Sequence, residues 1–327
     1  MTAPVGILVQ GPLYTTTPAG PSTLDVLQRL AACAHRRELL VALAYWDDED
    51  HALVQAAGPL VDLLVGVRRP QRAGSGNRHL QAVGVTAGLH ALAAAGVTYV
   101  IKSRTDVVLS EAFLAHVLER AAAADPRLVC TTLITRWEPF HLSDILVAGT
   151  RKQLHDLFDP RPTYYEDAFS PEVQFARCYV RNSGLTATMR LEDWLRFLVQ
   201  HVDLVDFDDF GLVWLKRTGP IRAHWWSRSW PYLVDRDLGP LLARPVSMRA
   251  HGWLRRTRMP PLVTATALRC LDPLAELVLR AVPFDVHERL GSPFHRYWVA
   301  PRTPEHSRPI ADVQVASPPG ASTGAAA

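Results

Sequence analysis

Between Val5 and Leu133 five strand-length apolar runs alternate with stretches of helical character. The runs are Val5 to Gln10, Leu39 to Tyr45, Val61 to Val67, Val97 to Lys102 and Leu128 to Leu133. Each is rich in Val, Leu and Ile without polar alternation, the pattern of a strand buried on both faces. Between them lie three helical stretches: one capped by Ser22 or Thr23 and running to about Arg36, one from Asn77 to Ala95 stopped by Gly96, and one capped by Ser110 and running to about Ala124. Strands separated by helices of ten or more residues form βαβ units, so the expected fold class is α/β: a Rossmann-type, mainly parallel sheet flanked by helices. In such sheets ligands lie beyond the carboxyl ends of the strands, which directs attention to the polar residues that follow each run.

Beyond Leu133 the alternation fades. A short apolar run covers Ile145 to Ala148, Leu191 to Gln200 is helical, and Val202 to Val205 is a short strand. Residues 216–258 are rich in Arg, Trp and Pro, and Leu262 to Val282 has the pattern of one or two amphipathic helices. From Pro301 the chain is Pro, Ser, Ala and Gly, which cannot bury a core. The expected organisation is a catalytic domain over 1–235, a mixed, helical C-terminal extension over 236–300 and a disordered tail over 301–327.

Charge excludes one class of partner. The 327 residues carry 35 basic and 32 acidic side chains, a net charge of +3 that is too balanced for a dedicated nucleic-acid binder. Cys33, Cys130, Cys178 and Cys270 form no CxxC motif and are expected as reduced thiols. The N-terminus lacks the basic and apolar regions of a signal peptide, and no apolar run approaches a membrane span. The expected location is the cytoplasm, with peripheral contact at the inner face of a membrane admitted.

The segment richest in chemistry is Lys102-Ser-Arg104-Thr-Asp106, where a buried strand delivers a carboxylate flanked by two cations. A nucleotide sugar carries a diphosphate that must be neutralised as it leaves; Arg or Lys can bind it directly, and a carboxylate can hold a divalent metal, Mn or Mg, against it. Many sugar transferases carry D-x-D here; in this chain only the last acid is present, so Asp106 is the candidate metal ligand, or else pairs with Arg104 or caps the following loop. Gln10-Gly11-Pro12 after the first strand is a candidate for close approach to a nucleotide or for a tight turn. Asp47 after the second is a candidate ribose or base contact or a solvated turn. Asn77 and Arg78 open a helix whose positive end suits phosphate, or cap it at the surface. His141, Ser143 and Asp144 form a polar cluster before an apolar run, suited to sugar binding or to a turn that Ser143 or Asp144 caps, and Glu172 follows Ser170-Pro171 as a helix start does. Asp144, Glu172 and His141 are therefore the candidate general bases, with Asp144 preferred because the following run should hold it rigidly.

The order of these motifs resembles the WavE-type lipopolysaccharide-synthesis glycosyltransferases. The resemblance rests on Gly6-Ile-Leu-Val-Gln-Gly-Pro12, Asn77-Arg78, Lys102-Ser-Arg-Thr-Asp106, Phe140-His-Leu-Ser-Asp144, Leu154 with Leu157-Phe158, and Pro171-Glu172-Val-Gln174, over roughly residues 5–235. It implies a GT-A-like fold that transfers a sugar from a nucleotide-activated donor to a glycan, lipid-linked or small-molecule acceptor in surface-polysaccharide or related synthesis. A nucleotide-binding module or nucleotidyltransferase without sugar transfer is the alternative. Against it, the segment after Val9 contains Gly11 but no Lys or Arg before Arg29, whereas enzymes that build nucleotide sugars usually carry a Gly-rich loop with a basic residue there.

Overall fold

The structure, a computed structural model, describes residues 4–131, 141–161, 171–185, 191–207 and 209–216. Among the described residues seven strands form one sheet: β1 (Val5–Gln10), β2 (Leu40–Trp46), β3 (Leu63–Val67), β4 (Tyr99–Arg104), β6 (Leu128–Thr131), β7 (Val147–Thr150) and β8 (Val202–Val205). Two short strands, β5 (Val107–Val108) and β9 (Val213–Trp214), pair antiparallel in a separate ribbon. The order across the large sheet is β3-β2-β1-β4-β7-β6-β8. All neighbours are parallel except β7, which runs against both β4 and β6. The sheet is therefore mainly parallel, as the alternation predicts.

Helices α1 (Thr23–His35), α2 (His51–Ala57), α3 (Arg78–Ala94), α4 (Glu111–Ala122), α5 (Arg151–Leu157), α6 (Pro171–Asn182) and α7 (Leu191–His201) cover its faces. Alternation along β1 explains the two layers. Ile7 and Val9 pack with Leu27 and Leu30 of α1 and with Phe113, Leu114 and Val117 of α4. Leu8 packs on the other face with α3, Phe158, Phe175 of α6 and Phe197 of α7. Gly88 lets α3 lie close against β1, since a Cβ there would come within 2.2 Å of Leu8 Cδ1.

Local signals set most helix starts. Ser22, not Thr23, caps α1: its Oγ accepts from Asp25 N at 3.1 Å while Asp25 accepts from Ser22 N at 2.7 Å. Ser110 caps α4, and Thr150 with Gln153 makes the same reciprocal box at α5. Strand ends moved by up to two residues; β4 begins at Tyr99 rather than Val97, whose N–H is spent on the last turn of α3 through Leu92 O at 2.9 Å. The acidic run after β2 conceals the start of α2, whose cap is Asp50. Cys33, Cys130 and Cys178 are free thiols. No helix among the described residues is long and apolar enough to cross a membrane. The expected boundaries at 235 and 300, the Arg- and Trp-rich run beyond Lys216, Cys270 and the tail lie outside the described residues.

Candidate functional site

Strand order places a crevice between β1 and β4. The chain leaves β1 through α1 toward β2 and β3, then returns through α3 on the opposite face to β4, on the other flank of β1. At such a switch the connections diverge and leave an opening beyond the carboxyl ends. Gln10 and Arg104, the last residues of these two strands, are register partners. Asp47 follows β2, and Asp106 follows β4, on the same edge.

Arg104 and Asp106 are directly paired. Arg104 Nε donates to Asp106 Oδ1 at 2.8 Å and Nη2 to Oδ2 at 3.1 Å. The Asp106 side chain has 0% exposure, whereas that of Arg104 keeps 18%. The Arg104 guanidinium also lies 5.9 Å from the centre of the Trp214 ring, brought there by the β5–β9 ribbon. Burial opposes the charge on Arg104, but the hydrogen bonds and charge of Asp106 prevail and raise its pKa. The Tyr14 phenol is pushed up by burial first and then by the Asp106 carboxylate, which sets Tyr14 beside the pair.

Lys102 is buried and faces inward. Its ammonium donates to the backbone carbonyl of Asp144 and sits 5.2 Å from the Phe158 ring centre. Burial pulls its pKa down to about 8, against the charges of Asp144, Asp106 and Glu172, while Arg104 lowers it further. The candidate acids and the two cations therefore share one electrostatic neighbourhood. Asp144 is 6% exposed and precedes β7. Glu172, in the first turn of α6, keeps 27% side-chain exposure, and its Oε2 lies 3.8 Å from His141 Nε2, itself 14% exposed. The start of α6 also meets the loop before α3: a Cβ on Gly76 would strike Pro171 at 2.5 Å.

Other expected ligands sit elsewhere or are spent. Gly11 has φ +143, and a Cβ there would lie 2.7 Å from Thr105 Oγ1, so its close approach is to the β4 loop. Thr105 Oγ1 in turn donates to Pro12 O at 2.7 Å, stapling the two loops at the crevice. Arg78 is not a surface cap: at 1% exposure its Nη2 donates to Asp159 O at 2.9 Å and Arg161 O at 3.3 Å, and it stacks on Phe175. It ties α3 to the loop between α5 and α6. Asn77 is exposed, in the left-handed region at φ 66, and makes no side-chain cap. Asp47 is exposed and accepts from Arg69 N at 3.2 Å.

Tyr14 and Trp214 at this edge had no motif to announce them, and Glu49 lies inside the acidic run that follows β2. Glu49 accepts from Leu13 N at 3.3 Å, and burial raises its pKa. Trp214 reaches Arg104 from the ribbon, and Tyr14 lies within the field of Arg104 and Asp106; an aromatic four residues past a strand end is the only trace Tyr14 leaves in the sequence. Phe140 and Ser170 lie outside the described residues.

A divalent metal at Asp106 is tested by these contacts. Both carboxylate oxygens accept from Arg104, the side chain is buried, and a second cation, Lys102, lies close by. Asp106 as placed does not fit a metal. Among the described residues no group of three His, Cys, Asp or Glu is placed to share one.

No protein-family profile matches the chain, and no curated protein matches it. Solved structures resemble it at low similarity. A mannosyltransferase from Pyrobaculum calidifontis in complex with GDP-Man and Mn2+ is 14% identical, over 86% of this chain and 74% of that one, with a TM-score of 0.38. A 4-diphosphocytidyl-2C-methyl-D-erythritol synthase from Anaerococcus prevotii is 11% identical, over 62% and 89%, with a TM-score of 0.37. A cytidylyltransferase from Leptospira borgpetersenii is 15% identical, over 50% and 68%, with a TM-score of 0.34.

Proposed function

We propose that the chain is a nucleotide-sugar-dependent glycosyltransferase whose donor lies over the carboxyl edge at the β1–β4 crevice. One observation carries the proposal: Gln10, Arg104, Asp106, His141, Asp144 and Glu172, drawn from four separate stretches of sequence, converge on that edge around a buried Lys102. Arg104 supplies charge for the donor diphosphate, and Gln10, 5% exposed with its amide against Gly84 of α3, lies beneath it. In an inverting transfer the C1–O bond to the diphosphate breaks and the nucleoside diphosphate leaves with the electron pair. The acceptor hydroxyl oxygen bonds C1, and its proton passes to a carboxylate.

The difference in exposure moves the preferred base from Asp144 to Glu172. A base must reach substrate, and Glu172 at 27% exposure with His141 beside it is better placed than Asp144 at 6%. Lys102, in contact with the Asp144 carbonyl, supports the edge from below rather than touching the donor. The acceptor class is a glycan, a lipid-linked sugar or a small hydroxyl compound, and surface-polysaccharide synthesis at the inner face of a membrane is the setting in which such a transfer fits.

Nucleotidyl transfer is the second reading. The loop after β1 disfavours it, because Gly11-Pro12 packs on Thr105 and no basic residue follows before Arg29. Thermal shift against nucleotides and nucleotide sugars identifies the donor, since a ligand of the native state raises the melting temperature. Product analysis then decides. Release of a nucleoside diphosphate from a nucleotide sugar supports glycosyl transfer; release of pyrophosphate from a nucleoside triphosphate replaces it with nucleotidyl transfer.

A further inference from the structure

We propose that Arg104 takes the place of a metal ion at the donor diphosphate and that Asp106 is the residue that positions Arg104, so that donor binding needs no divalent cation. The inference rests on the donor reading above and deepens it. Its starting point is the misfit at Asp106. A carboxylate that ligates a metal needs at least one oxygen turned toward the ligand and a net negative surrounding. Here both oxygens are held by one guanidinium, the side chain is fully buried, and a second cation, Lys102, lies close by.

The exposure of the pair is asymmetric in the direction the inference requires. The carboxylate is at 0% and the guanidinium at 18%, so the half that reaches the crevice is the cation. Arg104 is fixed on two sides, by Asp106 at 2.8 Å and 3.1 Å and by the Trp214 ring at 5.9 Å. The hydrogen bonds to Asp106 use Nε and Nη2, which leaves the Nη1 edge of the fork for a phosphate oxygen. A guanidinium held in this way presents fixed charge with little rotamer entropy left to lose on binding. It also explains the departure from D-x-D: a cation at position 104 supplies directly what two acids would supply through a metal.

The test is calorimetric titration of UDP, GDP, CDP and ADP into the full chain, once with EDTA and once with Mn2+, alongside Mn2+ titrated alone. The expected result is one preferred nucleoside diphosphate bound equally in both buffers. Arg104→Gln should weaken it about 10- to 100-fold, the range of a charge-assisted hydrogen bond, and Arg104→Lys should recover part of the loss. Asp106→Asn should weaken binding less, by an amount that Mn2+ does not change. Should Arg104→Gln fail to fold because Asp106 is left buried and unpaired, the double variant Arg104→Gln/Asp106→Asn removes both charges and is titrated instead. Binding that appears only with Mn2+, or Mn2+ binding alone that Asp106→Asn abolishes, overturns the inference while leaving the donor reading intact. No nucleoside diphosphate binding in either buffer overturns both.

Discussion

At the amino edge of the sheet, Asp125 and Arg127 just before β6 join Asp203 near the start of β8 and Arg120 and His116 of α4. Arg127 meets Asp125 at 2.6 Å, Arg120 meets Asp125 at 3.0 Å and Asp203 at 2.7 Å, and His116 Nε2 lies 2.9 Å from Asp203. Every charge in this network ends on an opposite charge within the protein. At the carboxyl edge the same residue types are arranged otherwise. Lys102 donates to a backbone carbonyl rather than to a carboxylate, Glu172 lies 3.8 Å from His141, and Arg104 holds both oxygens of a carboxylate that is itself fully buried. A cluster of charges is therefore no indication of a site. The distinction is position: the carboxyl edge is where the βα connections open a crevice that can receive a ligand.

The largest expected effect separates the edges by activity. Glu172→Gln should retain donor binding but lose transfer by on the order of 100-fold or more, as removal of a general base does, whereas Asp125→Asn should leave turnover unchanged. Initial rates of nucleoside diphosphate release at saturating donor check both. If Asp144→Asn collapses the rate and Glu172→Gln does not, the base is Asp144.

Next comes the alkaline response of the carboxyl edge. Lys102 has a folded pKa of about 8, below its ordinary 10.5. Between those values the folded protein holds Lys102 neutral while the unfolded chain remains protonated there. The unfolded state then binds more protons, so the stability contributed at this position rises with pH across that window. Urea unfolding of the wild type and of Lys102→Met, compared across the window, should show the difference moving in favour of the wild type as pH rises. A pH-independent difference would place Lys102 in contact with solvent and erase this contrast between the edges.

The smallest effect belongs to the amino edge and has the same sign in a different window, at acid rather than alkaline pH. Hydrogen bonds from Arg127 hold the Asp125 carboxyl down to about 2 from an ordinary 3.8. Its stabilisation is fully present above the ordinary value and is lost as pH falls through the folded one. Asp125→Asn should cost about 1–2 kcal/mol near neutral pH, a partly screened charge-assisted interaction, and the gap to the wild type should close in acid. Denaturant titrations at neutral and acidic pH measure both parts.

Much of this arrangement is written locally in the chain. The apolar runs read as buried strands because they are strand-length, rich in Val, Leu and Ile, and set between helical and turn signals. Ser22, Ser110 and Thr150 start helices because their side chains accept the N–H groups that the first turn leaves open. That parallel strands share a carboxyl edge follows from their connections, so the meeting of Gln10, Asp47 and Asp106 on one edge was legible before any coordinates.

Burial and partnership were not. Arg78 and Lys102 look alike in sequence as cations near a candidate phosphate site, and both are withdrawn into the protein by elements far along the chain: Asp159, Arg161 and Phe175 for Arg78, Asp144 and Phe158 for Lys102. The insertion of β7 antiparallel between β4 and β6 brings Asp144 to Lys102, and the pairing of Val213–Trp214 with Val107–Val108 brings Trp214 to Arg104. No local pattern encodes these contacts, because hydrogen bonding between strands and the desolvation of a charge depend on distance in space. Local signals were enough for the parallel strands β1 to β4 and for the edge at which chemistry can occur, whereas packing in space settled the direction of β7 and which charged groups on that edge are spent on the fold.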